Sequence, residues 1–120
     1  MKHTQARLAH EIRERIATIL RERVGDPRLE GVSVNEVRVA PDGSYARVFW
    51  VTLGPPASAA EAIEKAKPYL RRCLAAELRV RRVPELDFRM DEAVARAERV
   101  EDVLRELERT RAEKQKEEPA

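Results

Sequence analysis

The stretch that decides the fold is Val32-Ser33-Val34-Asn35-Glu36-Val37-Arg38-Val39-Ala40-Pro41-Asp42-Gly43-Ser44-Tyr45-Ala46-Arg47-Val48-Phe49-Trp50-Val51-Thr52-Leu53. Val32-Ser33-Val34 and Val37-Arg38-Val39 each alternate apolar with polar, the period of a half-buried strand, but in opposite phase. A bulge near Asn35 and Glu36, one extra residue in the strand, accounts for the slip. Pro41-Asp42-Gly43 is a turn signal. Residues 45–53 alternate again, so the whole stretch reads as an antiparallel hairpin. Its second strand carries two stripes. Ala46, Val48, Trp50 and Thr52 lie on one face, and Tyr45, Arg47, Phe49, Val51 and Leu53 on the other. Alternation alone does not choose which of them is buried.

Helical patterns flank the hairpin. Upstream, Leu8, Ile12, Ile16, Ile19, Leu20 and Val24 form one stripe of a 3.6-residue period over residues 4–24, with Thr4 as N-cap and Gly25-Asp26-Pro27 as the stop. Downstream, Gly54-Pro55-Pro56-Ala57 is a loop, and Ser58-Ala59-Ala60-Glu61 reads as a capping box. Ile63, Ala66, Leu70, Cys73, Leu74 and Leu78 continue a helical stripe, which Pro68 interrupts. A proline there removes a backbone donor and clashes with the preceding turn, so two short helices meeting at a kink are expected. Pro84 suits the first position of a third strand, in which Leu86, Phe88 and Met90 alternate with charged residues.

From Asp91 the composition changes. Ala93, Ala97, Val100, Leu104 and Leu107 make a narrow apolar seam among charges, and beyond about Arg109 the seam is lost. Of 28 Val, Ile, Leu and Phe residues, 23 lie before residue 91, so the core belongs to residues 1–91. Residues 92–120 are expected to form a charged amphipathic helix fraying into a disordered tail. The chain of 120 residues fits one domain. Its 24 Lys+Arg nearly balance 22 Asp+Glu, so the distribution of charge says more than the net +2.

Several functions are disfavoured. The single cysteine, Cys73, excludes an intramolecular disulfide and sits on the apolar stripe as a small core residue. His3 and His10 have no third ligand at metal spacing, and no nucleophile–base pair or phosphate-binding glycine loop is present. No enzyme activity, metal or cofactor is expected. No apolar run approaches a membrane span and no signal peptide is visible, so a cytoplasmic protein is expected.

The order α-β-β-α-kink-α-β, followed by a charged helix or tail, implies a two-layer α+β domain with helices covering one sheet face. That order matches the KH fold. Three stretches make the likeness specific: Asp26-Pro27-Arg28-Leu29 after the first helix, Tyr45-Ala46-Arg47-Val48 in the second strand, and Arg82-Val83-Pro84-Glu85-Leu86 before and into the third. On the right elements and in the right order, they make residues 5–91 resemble the ribosome-binding factor A family. The resemblance implies a non-enzymatic bacterial protein that binds the small (30S) ribosomal subunit, assists late maturation of 16S rRNA, including its 5' region, and is linked to cold adaptation. It implies the subunit and its rRNA as partners; no membrane association and a monomer are expected. The KH fold usually grips single strands with a Gly-x-x-Gly loop. The family replaces that loop with an Ala-x-Gly kink. Ala66-Lys67-Pro68 stands at that place, and Pro68, which departs from the pattern, has no N–H to offer a phosphate.

The candidate RNA-binding residues follow from charge. Lys65, Lys67, Arg71, Arg72, Arg79, Arg81 and Arg82 are accompanied by one acid, Glu77. On a continuous helix Lys65, Arg72 and Arg79 share a face, beside the small Ala75 and Ala76, and arginine suits phosphate through its planar fork. The competing reading is a solvated helix face. Arg47, between Tyr45 and Phe49, is a second candidate, with the aromatic rings stacking on bases unless that stripe is core. Arg28 is a third, reaching a phosphate or holding its own loop. The alternative function is a protein-interaction module acting through the C-terminal seam.

Overall fold

The structure, a computed structural model, describes residues 5–117, without the side chains of 93–100, 102 and 114–117. Thr4, read above as an N-cap, and His3 lie outside the described residues.

The four-three-one spacing of Ile12, Ile16, Ile19 and Leu20 gives α1 (Gln5–Glu22) a single apolar face, and all four are buried. Fully burying each such side chain contributes about 1.5–3 kcal/mol. The helix closes where the amides of Arg23 and Val24 both donate to Ile19 O, at 2.9 and 3.1 Å. Asp26 then caps a short 3-10 turn, Pro27–Leu29, by accepting from Arg28 N at 3.0 Å. That turn tucks Leu29 into the core.

β1 (Val32–Val39) and β2 (Tyr45–Thr52) pair antiparallel, and the register shifts between Val34 and Glu36. The bulge therefore sits where the phase slip demanded it. At the turn, Gly43 has φ +74°, a conformation that a side chain disfavours, and Gly43 N donates to Ala40 O at 2.8 Å. β2 stops at Thr52; Leu53, read above as part of the second stripe, is 90% exposed outside the strand.

The face question has a clear answer. Ala46, Val48 and Trp50 are buried, and Tyr45, Arg47 and Phe49 point away from the helices. The reason lies across the sheet. Arg47 is opposite Arg38 on one side and Asp87 on the other, and Phe49 is opposite Glu36 and Arg89. Burying that face would desolvate five charges, whereas the Ala46 face meets Val39 and Leu86.

α2 (Pro56–Glu77) corrects two expectations. It begins two residues before the supposed capping box, with Pro55 at the N-cap and Pro56 at its first position. Proline there removes one of the amides that a helix start leaves unsatisfied, no side chain caps the others, and Ser58 falls inside the first turn. The expected pair of short helices is one helix that runs through Pro68. Pro68 is exposed, on the opposite side from the buried Ala66 and Leu70. The carbonyl of the exposed Glu64, which loses its partner, can therefore take water instead. The helix ends at Glu77, and Leu78 is already extended.

β3 (Glu85–Met90) lies parallel to β2, giving the order β1-β2-β3 with β2 central. The result is a two-layer α+β domain with the apolar faces of α1 and α2 on one side of the sheet. The chain divides into two compact units, Met1–Met90 and Asp91–Ala120.

The second unit carries α3 (Glu92–Glu117), which extends past Arg109, where fraying was expected. Its residues explain the length: no Gly or Pro occurs before Pro119, and Glu, Arg, Lys and Ala are strong helix formers. Glu101 pairs with Arg105 at 3.5 Å and Glu106 with Arg109, the favourable one-turn spacings. Residues 118–120 lie outside the described residues. No helix among the described residues is long and apolar enough to cross a membrane.

Candidate nucleic-acid interface

The second half of α2 and the loop to β3 carry the basic segment. Its members differ in how they are neutralised. Lys65 lies 3.4 Å from Glu61 and Lys67 4.0 Å from Glu64, both one turn away on α2. Arg71 is 3.9 Å from Glu85 at the start of β3. Arg72 has no carboxylate in reach; its guanidinium lies over the Tyr69 ring, 5.9 Å from the centroid. Arg79, Arg81 and Arg82 are exposed in the loop and form no ion pair. Arg82 is near enough to Asp42 in the hairpin turn to favour its charged form. Asp42 is held low first by the Ser44 hydroxyl.

The one acid of the segment does not neutralise its neighbours. Glu77 accepts two bonds from Arg23 at 3.1 Å each, and Arg15 approaches at 3.6 Å. These arginines come from α1 and the residue after it, so Glu77 ties the two helices together. The hydrogen bond from Arg23 holds the Glu77 carboxyl below its usual range, and Glu77 in turn raises Arg23. Every lysine and arginine of residues 5–90 lies within 4.0 Å of a carboxylate except Arg72, Arg79, Arg81 and Arg82. Unpaired arginines are free to meet phosphate without first breaking an ion pair.

One geometric expectation fails. Lys65, Arg72 and Arg79 cannot share a helix face, because the helix ends at Glu77 and the extended Leu78 carries the chain away from it before Arg79. Ala75 and Ala76 are exposed beside Arg72, so a backbone can approach closely there. At the place of the family kink, Ala66 is buried in the core, Lys67 half-buried and Pro68 exposed.

The other two candidates have internal partners. Arg28 Nη2 is 2.7 Å from Asp26 Oδ2 and its Nε 3.0 Å from Oδ1, and the guanidinium also lies 3.8 Å from Glu61. The side-chain bond from Arg28, aided by its amide, lowers the Asp26 carboxyl to about 2. Arg47 Nε donates to Asp87 at 3.1 Å, and its guanidinium lies 5.4 Å from the Tyr45 ring centroid. Burial pushes Asp87 up, yet the hydrogen bonds from Arg89 and Arg47 prevail and its carboxyl is lowered. Arg38 lies over Phe49 at 5.6 Å and pairs with Glu36 at 3.0 Å. The rings on this face are thus already covered by cations.

Sequence reasoning missed the pairing that separates the free arginines from the bound ones. One-turn spacing could have found the Arg7–Glu11, Lys65–Glu61 and Lys67–Glu64 pairs and the Tyr69–Arg72 contact, but not the pairs that join different elements. Among the described residues no group of three His, Cys, Asp or Glu could hold a metal ion. Cys73 is free and half-buried against the core.

Comparison with known proteins agrees with this architecture. A family profile described as Ribosome-binding factor A matches residues 4–104. The ribosome-binding factor A of Thermomicrobium roseum is 38% identical over 112 residues, covering 91% of this chain and 87% of the relative. That of Heliobacterium modesticaldum is 38% identical over 109 residues, covering 88% and 90%. The crystal structure of ribosome-binding factor A from Thermus thermophilus superposes with a TM-score of 0.70 at 30% identity, covering 75% of this chain and 98% of that one. A homology model of Thermus thermophilus ribosome-binding factor A, fitted into the cryo-EM map of a 30S–RbfA complex, matches with a TM-score of 0.59 at 31% identity, covering 78% and 97%. With the fold, the order of elements and most of the chain in common, this protein belongs to the ribosome-binding factor A family.

Proposed function

We propose that this protein binds the small ribosomal subunit in the cytoplasm and assists late maturation of 16S rRNA, including its 5' region, by binding and not by bond chemistry. The observation that carries the reading is the unpaired set Arg72, Arg79, Arg81 and Arg82, gathered within one segment of an otherwise self-neutralised domain. A Thermus thermophilus relative described in a 30S–RbfA complex supports the choice of target. In this mechanism the four arginines neutralise rRNA phosphates, while Lys65, Lys67 and Arg71 exchange their nearby acids for RNA as the surfaces close. Arg28 and Arg47 join only by leaving Asp26 and Asp87. Bound protein holds one arrangement of a flexible rRNA region, and the mature arrangement later displaces it.

Salt dependence tests the reading. Each neutralised phosphate steepens log affinity against log salt by roughly 0.7 to 0.9. Replacing Arg72, Arg79 and Arg81 by Glu is expected to weaken co-sedimentation with small subunits and to flatten the slope by about two to three units. Circular dichroism should be unchanged, because all three side chains are exposed. A folded triple variant that binds as the wild type does would move the attachment to another surface.

A second reading rests on α3, where Val103, Leu104 and Leu107 are 57, 53 and 60% exposed. A partner helix packed on that seam would bind with little response to salt.

A further inference from the structure

β1 is an outer strand, and only one of its edges is paired. Leu53 N donates to Gly31 O at 3.1 Å, which makes residues 31 and 53 a hydrogen-bonded pair. Antiparallel ladders alternate such pairs with non-bonded ones. Val32 lies opposite Thr52, Ser33 opposite Val51 and Val34 opposite Trp50. Ser33 therefore bonds to β2, and the backbone N–H and C=O of Val32 and Val34 point to the outside. Neither backbone has another partner among the described residues. The bulge ends this stretch at Asn35, whose carbonyl accepts from Arg13 Nη1 at 3.3 Å.

The vacant edge borders a groove of about 880 Å³ between the end of α1, the 3-10 turn and β1. Its apolar wall is Ala17, Leu20, Val24 and Leu29. Proteins ordinarily blunt an open edge with a charge, a proline or a bulge. Residues 32–34 have none of these, and two donors and two acceptors stand in a row beside an apolar trough. The charges around the groove are mostly spoken for. Arg21 pairs with Glu22 at 3.7 Å, Arg23 with Glu77, and Asp26 with Arg28. Glu30, exposed on the lining, has no cationic partner among the described residues.

We propose that the outer edge of β1 docks an extended protein segment as a fourth strand, one with alternating apolar residues and a lysine or arginine that meets Glu30. Strand addition suits this site because main-chain bonds supply attachment while the trough accepts alternate side chains. The site is distinct from the arginine cluster, which leads into β3 at the other side of the sheet. The protein can then hold RNA and a protein tail together.

The test is an amide-resonance titration of the full chain with the synthetic peptide acetyl-Lys-Val-Thr-Val-Lys-Val-Thr-amide. The Val32 and Val34 amides should shift to saturation, and their hydrogen exchange should slow. Val34→Pro removes one edge N–H at a position where proline is tolerated, and should weaken binding by about tenfold. Glu30→Lys leaves the edge intact; it should weaken binding of this peptide and strengthen that of its counterpart with Glu in place of Lys. The triple arginine variant should bind the peptide as the wild type does, which separates this edge from the RNA surface. No shift at either valine at millimolar peptide overturns the proposal. So does protection of both amides that grows with protein concentration without peptide, which would assign the edge to a second copy of the chain.

Discussion

At the scale of single residues, the turn after α1 is governed by one carboxylate. Asp26 caps the turn and grips Arg28, and the Arg28 side chain holds its carboxyl down to about 2. In the unfolded chain an aspartate titrates near about 3.9. The folded value is the lower one, so the stabilisation is complete above the unfolded value and is lost as pH falls toward about 2. Asp26→Asn keeps a capping oxygen but not the charge. The gap in urea midpoint between wild type and this variant should therefore narrow as pH falls from about 5 to about 2. A gap that stays constant would mean that the charge contributes nothing to folding. This scale was the least legible in the sequence. Arg71 and Arg72 are neighbours in the chain, yet Glu85 faces the first and no acid faces the second. Glu77, the one acid within the basic segment, belongs to Arg15 and Arg23. Such pairings depend on which elements meet, and no local pattern encodes them.

At the scale of elements, periodicity worked where one face alone was apolar. α1 and the bulged β1 were readable because each has a single stripe, and a phase slip within eight residues has few explanations. β2 was ambiguous because both of its faces are apolar; the choice came from the charges on its neighbours, Arg38 and Asp87. α2 misled because a proline signal was read without its exposure. Pro68 leaves Glu64 O without an intrahelical donor, and its ring faces solvent. Pro68→Ala should restore that bond and raise stability by about 1–3 kcal/mol, read from the urea midpoint. Binding to small subunits should stay within about twofold of wild type if the RNA surface depends on the unpaired arginines and not on the proline. A stabilised variant that no longer binds would show that the proline shapes the site.

At the scale of the whole molecule, the distribution of apolar residues and the division into two units coincide at residues 90 and 91. A chain ending at Glu92 should unfold in one cooperative transition with most of the full-length stability, followed by circular dichroism in urea. Loss of the transition would make α3 part of the core. The sheet itself has a further consequence, in time and not in space. β2 pairs with β1 across a five-residue turn, but with β3 only after α2 has crossed between them. Local pairings form fast and distant ones wait for loop closure. During synthesis the hairpin is complete when residue 52 emerges, and residues 53–84 take roughly 2–6 s more at about 5–20 residues per second. Through that interval the central strand has one bare edge, and until α2 emerges Val48 and Trp50 lack the part of the core that it supplies. The parallel pairing thus dictates an order of assembly on the translating ribosome: the hairpin first, and the closing strand last.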